Sequence, residues 1–399
     1  MTQPKSPFTR AQLLPQEETL EISRQKGNLY IGIPKEAYFQ ERRICLTPDA
    51  VNAIVSNGHK VLIENGAGLE AGFSNNEYSE AGAQMTDDTQ KVFACPIVLK
   101  VEPPTLGELK WMQPKSVLIS ALQLKTRKKE YFAALAKKKI TALAFEFIKD
   151  EDHSYPLVKA LSEIAGTASV LIAAELMVNA KRGNGLLFGN ISGVPPIEVV
   201  VIGAGTVGEF AVRSALGLGA NVKVFDSSIT KLRTIQTNVG RILYTSTVQP
   251  KNLMKALLRC DVAIGAVRGQ NRAPIIVTED MVMKMKKGAV IIDVCVDMGG
   301  CFETTEMTSH DNPTFINHGV IHYGVPNIPA RYPKTASISI SNIFTPYILE
   351  IAESGGLENA IRFDPGLKNG LYFYRGILTN KAVADWFDLP YSDLNLLIF

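Results

Sequence analysis

Residues 197–208 read IEVVVIGAGTVG, and this stretch decides the fold. The apolar run ending in glycine has the pattern of a strand buried on both faces. Gly203, Gly205 and Gly208 follow it in GxGxxG spacing, a helix pattern covers residues 206–218, and a second strand, 221–225, ends at Asp226. Each residue type has its own reason. Gly203 allows a tight turn, Gly205 lets backbone approach a pyrophosphate, and Gly208 lets the helix pack on the sheet. The helix N-terminus offers free N–H groups and a positive dipole end to phosphates. Asp226, 18 residues beyond Gly208, stands where a carboxylate accepts ribose hydroxyls. The combination points to a bound dinucleotide. Asp226 would repel a 2′-phosphate, which favours NAD over NADP, although Lys231 and Arg233 nearby could attract one.

The same rhythm extends both ways. Upstream, short apolar runs (YIGI 30–33, KVLI 60–63, PIVLK 96–100, SVLIS 116–120, TALAF 141–145) alternate with amphipathic stretches such as 48–57 and 128–137. Strands alternating with helices imply parallel sheets covered on both faces. A long helix is expected over 162–179, then a glycine-rich turn region, 183–193, and Pro195-Pro196 before the second run begins. Downstream, strands are expected at 261–265, 289–294 and 320–323. Ligands in such sheets bind at the carboxyl ends of strands, here AVRG (266–269), DVCVDMGGCFE (293–303) and GVPNIPA (324–330). Asp297, before Gly299-Gly300, is either a turn cap or a catalytic acid on a tight loop.

Bulk properties narrow the function classes. With 399 residues the chain exceeds one ordinary core, so two domains are expected. It is 46% hydrophobic and 20% charged, as a globular enzyme is. A net charge of +3 without a basic block argues against nucleic acid and membrane surfaces. The polar segment 1–27 lacks a signal core and reads as a loose arm of a cytoplasmic protein. Five cysteines without a CxxC pair fit reduced thiols; Cys295, Cys301 and His310 match no common zinc spacing, so no metal is expected.

The ordered motifs IGIPKE (31–36), RICLTP (43–48), ENGAG (64–68), SEIAG (162–166), VVVIGAGTVGEFA (199–211), DMGGCFE (297–303) and PKTASISISN (333–342) together resemble the alanine dehydrogenase family. That family shares its fold with the NAD-binding alpha subunit of proton-pumping transhydrogenase. The resemblance implies two doubly wound α/β domains. The substrate domain is expected over 1–156 with 332–399, and the inserted Rossmann domain over 157–331. It also implies a homo-oligomer, commonly a hexamer, and an amino acid or 2-oxo acid as substrate. The implied cofactor set is Ser162, Gly203, Gly205, Val207, Gly208, Asp226, Lys231, Thr247, Val267, Val294, Asp297, Val325, Asn327 and Ile328. Arg43 matches the arginine that clamps the substrate carboxylate, and Asp297 the aspartate that handles protons at the reacting carbon.

Two family positions differ. The lysine that polarises the substrate carbonyl falls on Glu102 in KVEPP, and the acid/base histidine on Gln123 in SALQLK, 21 residues later as in the family. Glu102 is expected to be anionic at neutral pH and so unable to stabilise a developing alkoxide; Gln123 donates a hydrogen bond but has no proton equilibrium. Lys100 and His322 are candidates to compensate, His322 reading more readily as a core residue. Ser354 stands at the family's magnesium-histidine position. Three functions stay open: an NAD-dependent amino-acid dehydrogenase, a nucleotide-binding paralogue without turnover, and, more weakly, a soluble transhydrogenase-like component.

Overall fold

The computed structural model describes residues 28–38, 40–178, 183–269 and 272–398. The arm 1–27 and position 179 of the expected long helix lie outside them. Strands β1 (Tyr30–Ile33), β2 (Lys60–Glu64), β3 (Gln84–Thr86), β4 (Ile97–Leu99), β5 (Val117–Ser120) and β6 (Thr141–Ala144) come first. Then follow β7 (Glu198–Ile202), β8 (Asn221–Phe225), β9 (Tyr244–Ser246), β10 (Val262–Gly265), β11 (Val290–Asp293), β12 (Thr314–Asn317) and β13 (Val320–Tyr323). Strands β14 (Leu371–Tyr374) and β15 (Ile377–Leu378) are the last, ahead of the helix Lys381–Phe387.

They form two sheets, one ordered β15-β14-β6-β5-β4-β1-β2-β3 and the other β12-β13-β11-β10-β7-β8-β9. Pairing is parallel except at β12–β13, β14–β6 and β14–β15. The α/β expectation is therefore met, with antiparallel edges added. The strands missed in the sequence are mostly such edges. β3 and β9 have three residues each and lack fully buried positions, so they show little apolar pattern.

Two 21-residue helices connect the sheets, Pro156–Leu176 and Pro333–Glu353. Each begins with proline, whose missing N–H costs nothing in the first turn. The first therefore starts six residues earlier than its apolar pattern suggested. Ala165, Ala168, Ile172 and Ala173 of the first helix pack with Val199, Val201, Ile264 and Ile292 of the second sheet. Ile340, Phe344, Ile348 and Ile351 of the second helix instead pack with Ile31, Ile33, Leu99 and Ile119 of the first sheet. At roughly 1.5–3 kcal/mol per fully buried large apolar side chain, each helix is firmly tied to its own sheet. Among the described residues, only Pro156–Leu176 is long and apolar enough to cross a membrane, and its apolar side is this core contact.

Candidate active site

The chain leaving β1 carries Glu36, Glu41 and Arg43 past the carboxyl ends of β4 and β5. Glu41 and Arg43 are two residues apart, and their side chains form a fork. Arg43 Nε donates to Glu41 Oε1 at 2.7 Å and Nη2 to Oε2 at 2.6 Å. The backbone N–H groups of Arg42 and Arg43 donate to Glu41 Oε1 as well. The same Nη2 lies 3.7 Å from Oε1 of Glu102, just beyond β4. Gln123, just beyond β5, donates its amide N–H to Glu102 Oε2. Arg43 and Glu102 are 5% and 2% exposed, so these charges face one another with little water between them.

From the other sheet, Asn327 Nδ2 donates to Glu41 Oε2 at 3.0 Å. Next to it, the backbone N–H of half-buried His310 donates to Gln40 Oε1 at 2.7 Å. The loop after β1 is thus hydrogen-bonded directly to the loops beyond β11 and β13.

Protonation follows from this packing. Burial alone would raise the Glu41 carboxyl, but the charge and hydrogen bonds of Arg43 outweigh it and hold it down at about 2. Glu102 goes the opposite way: burial first, then Glu41, push it up to about 8 against the pull of Arg43. Glu102 is thereby driven toward its neutral, protonated form. The expectation of an anion is corrected, because one guanidinium cannot neutralise two buried carboxylates.

Neither compensating candidate reaches this centre. Lys100 is buried with Nζ 3.0 Å from Glu36 and 3.5 Å from Glu108, lying over the Phe93 ring. His322 is fully buried, its Nε2 at 2.8 Å from Thr304 Oγ1 and Nδ1 at 3.0 Å from Val320 O, with its ring stacked on Phe315. Burial lowers its pKa, and it is a core residue. Gln123 sits in the left-handed region, φ 48°, held by its own N–H and that of Leu122 donating to Glu146 Oε1.

The glycine segment joins β7 to the helix Thr206–Gly217. A Cβ on Gly208 would meet Gly203 O at 1.9 Å, whereas one on Gly205 would meet nothing within 4 Å. No side chain caps this helix, so its N-terminus, with Thr206 and Val207, is open to a ligand. Asp226 follows β8, its Oδ2 accepting from Ala204 N and its Oδ1 from Ser228 N, both at 2.7 Å. Each oxygen keeps a second lone pair, and the pinned carboxylate stands beside the uncapped helix. An open cradle with an adjacent acid fits a nicotinamide nucleotide.

The remaining cofactor positions spread along the same sheet edge. Lys231 is exposed on the helix Ile229–Val239 after β8, and Thr247 follows β9. Val267 follows β10, Val294 and Asp297 follow β11, and Val325 and Ile328 follow β13 with Asn327. Ser162 lies on the linking helix Pro156–Leu176. Asp297 is exposed on the short turn Val296–Met298, which Gly299 ends with φ 93°.

Asp293, rather than His310, accompanies the paired cysteines. Its oxygens accept from Cys295 N, Cys295 Sγ and Cys301 N, and the possible ligand atoms of the three residues lie within 4.8 Å of one another. With its carboxylate already taken by these donors, the group clamps the Asp297 loop.

Sequence reading named Arg43, Glu102, Gln123 and Asn327, and the structure joins them through Glu41. Glu41 is the member of the cluster that the sequence analysis leaves out. Its signal was the i, i+2 spacing, which puts both side chains on one side of an extended strand. Glu146 and His310 gave no comparable local signal for their contacts here.

Two family profiles match the chain. Residues 32–165 match the profile "Alanine dehydrogenase/PNT, N-terminal domain" and 169–381 match "Alanine dehydrogenase/PNT, C-terminal domain". The latter domain binds a nicotinamide nucleotide. The chain is 38% identical over 366 residues to alanine dehydrogenase 2 of Staphylococcus aureus strain USA300, covering 91% of this chain and 98% of that protein. A solved L-alanine dehydrogenase superposes with a TM-score of 0.85 at 36% identity, over 90% of this chain and 99% of the other. A transhydrogenase from Sinorhizobium meliloti shares the fold, with a TM-score of 0.76 at 22% identity over 88% and 99% of the two chains.

Proposed function

The chain belongs to the alanine dehydrogenase/PNT family, and from this premise we propose that it oxidatively deaminates a small L-amino acid, alanine first, with NAD and water. The products are the 2-oxo acid, ammonium and NADH. The observation that carries the reading is the buried Glu41–Arg43–Glu102–Gln123 cluster hydrogen-bonded to Asn327, on a loop at the nucleotide-side sheet edge. When bound, the nicotinamide supplies the hydride acceptor. Arg43 holds the substrate carboxylate with the donor capacity it does not spend on Glu41. Gln123 orients by hydrogen bonding, and Asp297 takes and returns protons of water and amine at the reacting carbon.

Asp226 selects NAD over NADP by charge, with Lys231 and Thr247 on the adenosine side. The same reading assigns 1–156 with 332–399 to the substrate domain and 157–331 to the nucleotide domain. It takes the protein as a cytoplasmic homo-oligomer, hexameric by resemblance. A nucleotide-binding paralogue without turnover is the second reading, favoured by the fork that Glu41 already makes on Arg43. The two separate in a screen of amino acids for NADH formation, run beside NADH binding by fluorescence. Reduction with alanine or a close analogue supports the enzyme. Binding without reduction by any amino acid supports the paralogue.

A further inference from the structure

Two carboxyl groups, Glu41 and Glu102, reach one guanidinium nitrogen, at 2.6 and 3.7 Å. Glu41 takes both fork positions of Arg43, two backbone N–H groups and the amide of Asn327, a set of donors that only an ionised carboxylate satisfies well. Glu102 receives the Gln123 amide and the more distant edge of Arg43. The other charges nearby do not balance the excess. Glu36 adds a further carboxyl facing Glu102, and Lys100, two residues before it, is held between Glu36 and Glu108. Bringing two ionised carboxylates against one cation in a buried site is costly, and binding one proton removes that cost.

We propose that Glu41 and Glu102 hold one proton between them, and that Glu102 carries it as the neutral acid that serves the oxygen on the reacting carbon. Position supports the role. The reacting carbon is bonded directly to the carboxylate that Arg43 would clamp, and Glu102 lies beside the same Nη2. In the amination direction ammonia forms the C–N bond and passes one proton to Asp297, the carbonyl π pair moves onto oxygen, and Glu102 gives that oxygen its proton. The resulting Glu102 carboxylate is held by Arg43 and Gln123. In deamination the hydroxyl of the tetrahedral carbinolamine returns its proton to Glu102 as the carbonyl reforms and the C–N bond breaks. The departing amine takes a proton from Asp297. A neutral acid thus takes the place of a cation as donor, and Gln123 orients it. This inference rests on the proposed dehydrogenase activity for its chemical step but not for its proton.

The proton is tested on the resting protein by infrared spectroscopy at neutral pH. Wild type should show a protonated-carboxyl stretch that falls by the share of one group in Glu102→Gln. Because burial also raises Glu36 and Glu146, the readout is this difference rather than the presence of a band. Glu41→Gln should remove the same component, since Arg43 then faces Glu102 alone and ionises it. An unchanged band in folded Glu102→Gln overturns the proposal. So does a Glu41→Gln band that retains the component.

Turnover provides the second arm. Wild-type deamination should rise toward a plateau above about pH 8, and amination should fall over the same range. Glu102→Gln should lose both limbs and about 100-fold or more in kcat, with KM for the amino acid shifting by less than about threefold. A variant that keeps both limbs and the parent kcat refutes the catalytic role. If wild type turns over no amino acid, the functional reading fails, and the infrared arm still decides the shared proton.

Discussion

Adding one methyl group at two neighbouring glycines should produce opposite failures. At Gly208 an alanine Cβ would lie 1.9 Å from Gly203 O and 3.0 Å from Gly203 C, both backbone atoms. A carbon–oxygen contact needs roughly 3.3 Å or more, so the helix Thr206–Gly217 must move off the sheet by more than about 1 Å. Overpacking of this kind costs about 1–3 kcal/mol, and here no flexible side chain can yield instead. At Gly205 the same methyl meets nothing within 4 Å, and the backbone, φ −84° and ψ −169°, is ordinary extended chain. Its folding cost is therefore about 1 kcal/mol or less, the loss of a favourable helix-start residue. The empty space is the ground a pyrophosphate would occupy, so the methyl should weaken NADH by about tenfold to a hundredfold, or about 1.4–2.8 kcal/mol. Urea unfolding and NADH fluorescence titration on both variants give the two numbers separately. If Gly205→Ala binds NADH like the parent, or Gly208→Ala is as stable as the parent, the cradle is misassigned.

Three further outcomes follow from named contacts. Asp226→Ala should weaken NADH by at least about a hundredfold, from two lost charge-assisted hydrogen bonds at about 1.5–3 kcal/mol each, and NADPH much less; equal losses in titration would contradict the ribose role. Arg43→Met strands the buried Glu41 carboxylate and should cost about 3–5 kcal/mol in urea unfolding, while Arg43→Lys, which keeps the charge but loses the donors left over for substrate, should raise KM for the amino acid at least about tenfold. Thermal stability should also carry the signature of the carboxyl pair. Glu102 binds its proton more tightly folded than unfolded, so its contribution is full below about 4.5 and is lost as pH rises through about 8. Glu41, depressed to about 2, contributes above 4.5 and loses that contribution as pH falls through its folded value. Melting curves of Glu102→Gln should lack the decline toward pH 8 while keeping the acid limb.

The strands β1, β8 and β13 could be read from the sequence to the residue, because continuous apolar runs between turn residues leave few other choices. The edge strands could not, since QMT and YTS carry no period of their own and pair only where a neighbour offers a ladder. The glycine cradle was legible because its reasons are local. Arg43 and Glu102 were named through resemblance, but the charge state of Glu102 was misread. A carboxylate two residues from Lys100 reads as an ion, and only the fold shows that Lys100 belongs to Glu36 and Glu108 while Glu41 faces Glu102. Protonation depends on contacts between residues 61 positions apart, and no spacing rule encodes that.

Transfer of a hydride from the α-carbon of a small amino acid to a nicotinamide can be followed with an isotope. L-alanine deuterated at C2, incubated with the protein, NAD and water, tests it directly when the reduced cofactor and the 2-oxo acid are read by mass spectrometry. Each NADH formed should carry one deuterium, with pyruvate and ammonium in equal amounts. NADH that binds to a folded protein while neither alanine nor any other small amino acid delivers its C2 deuterium would contradict that transfer.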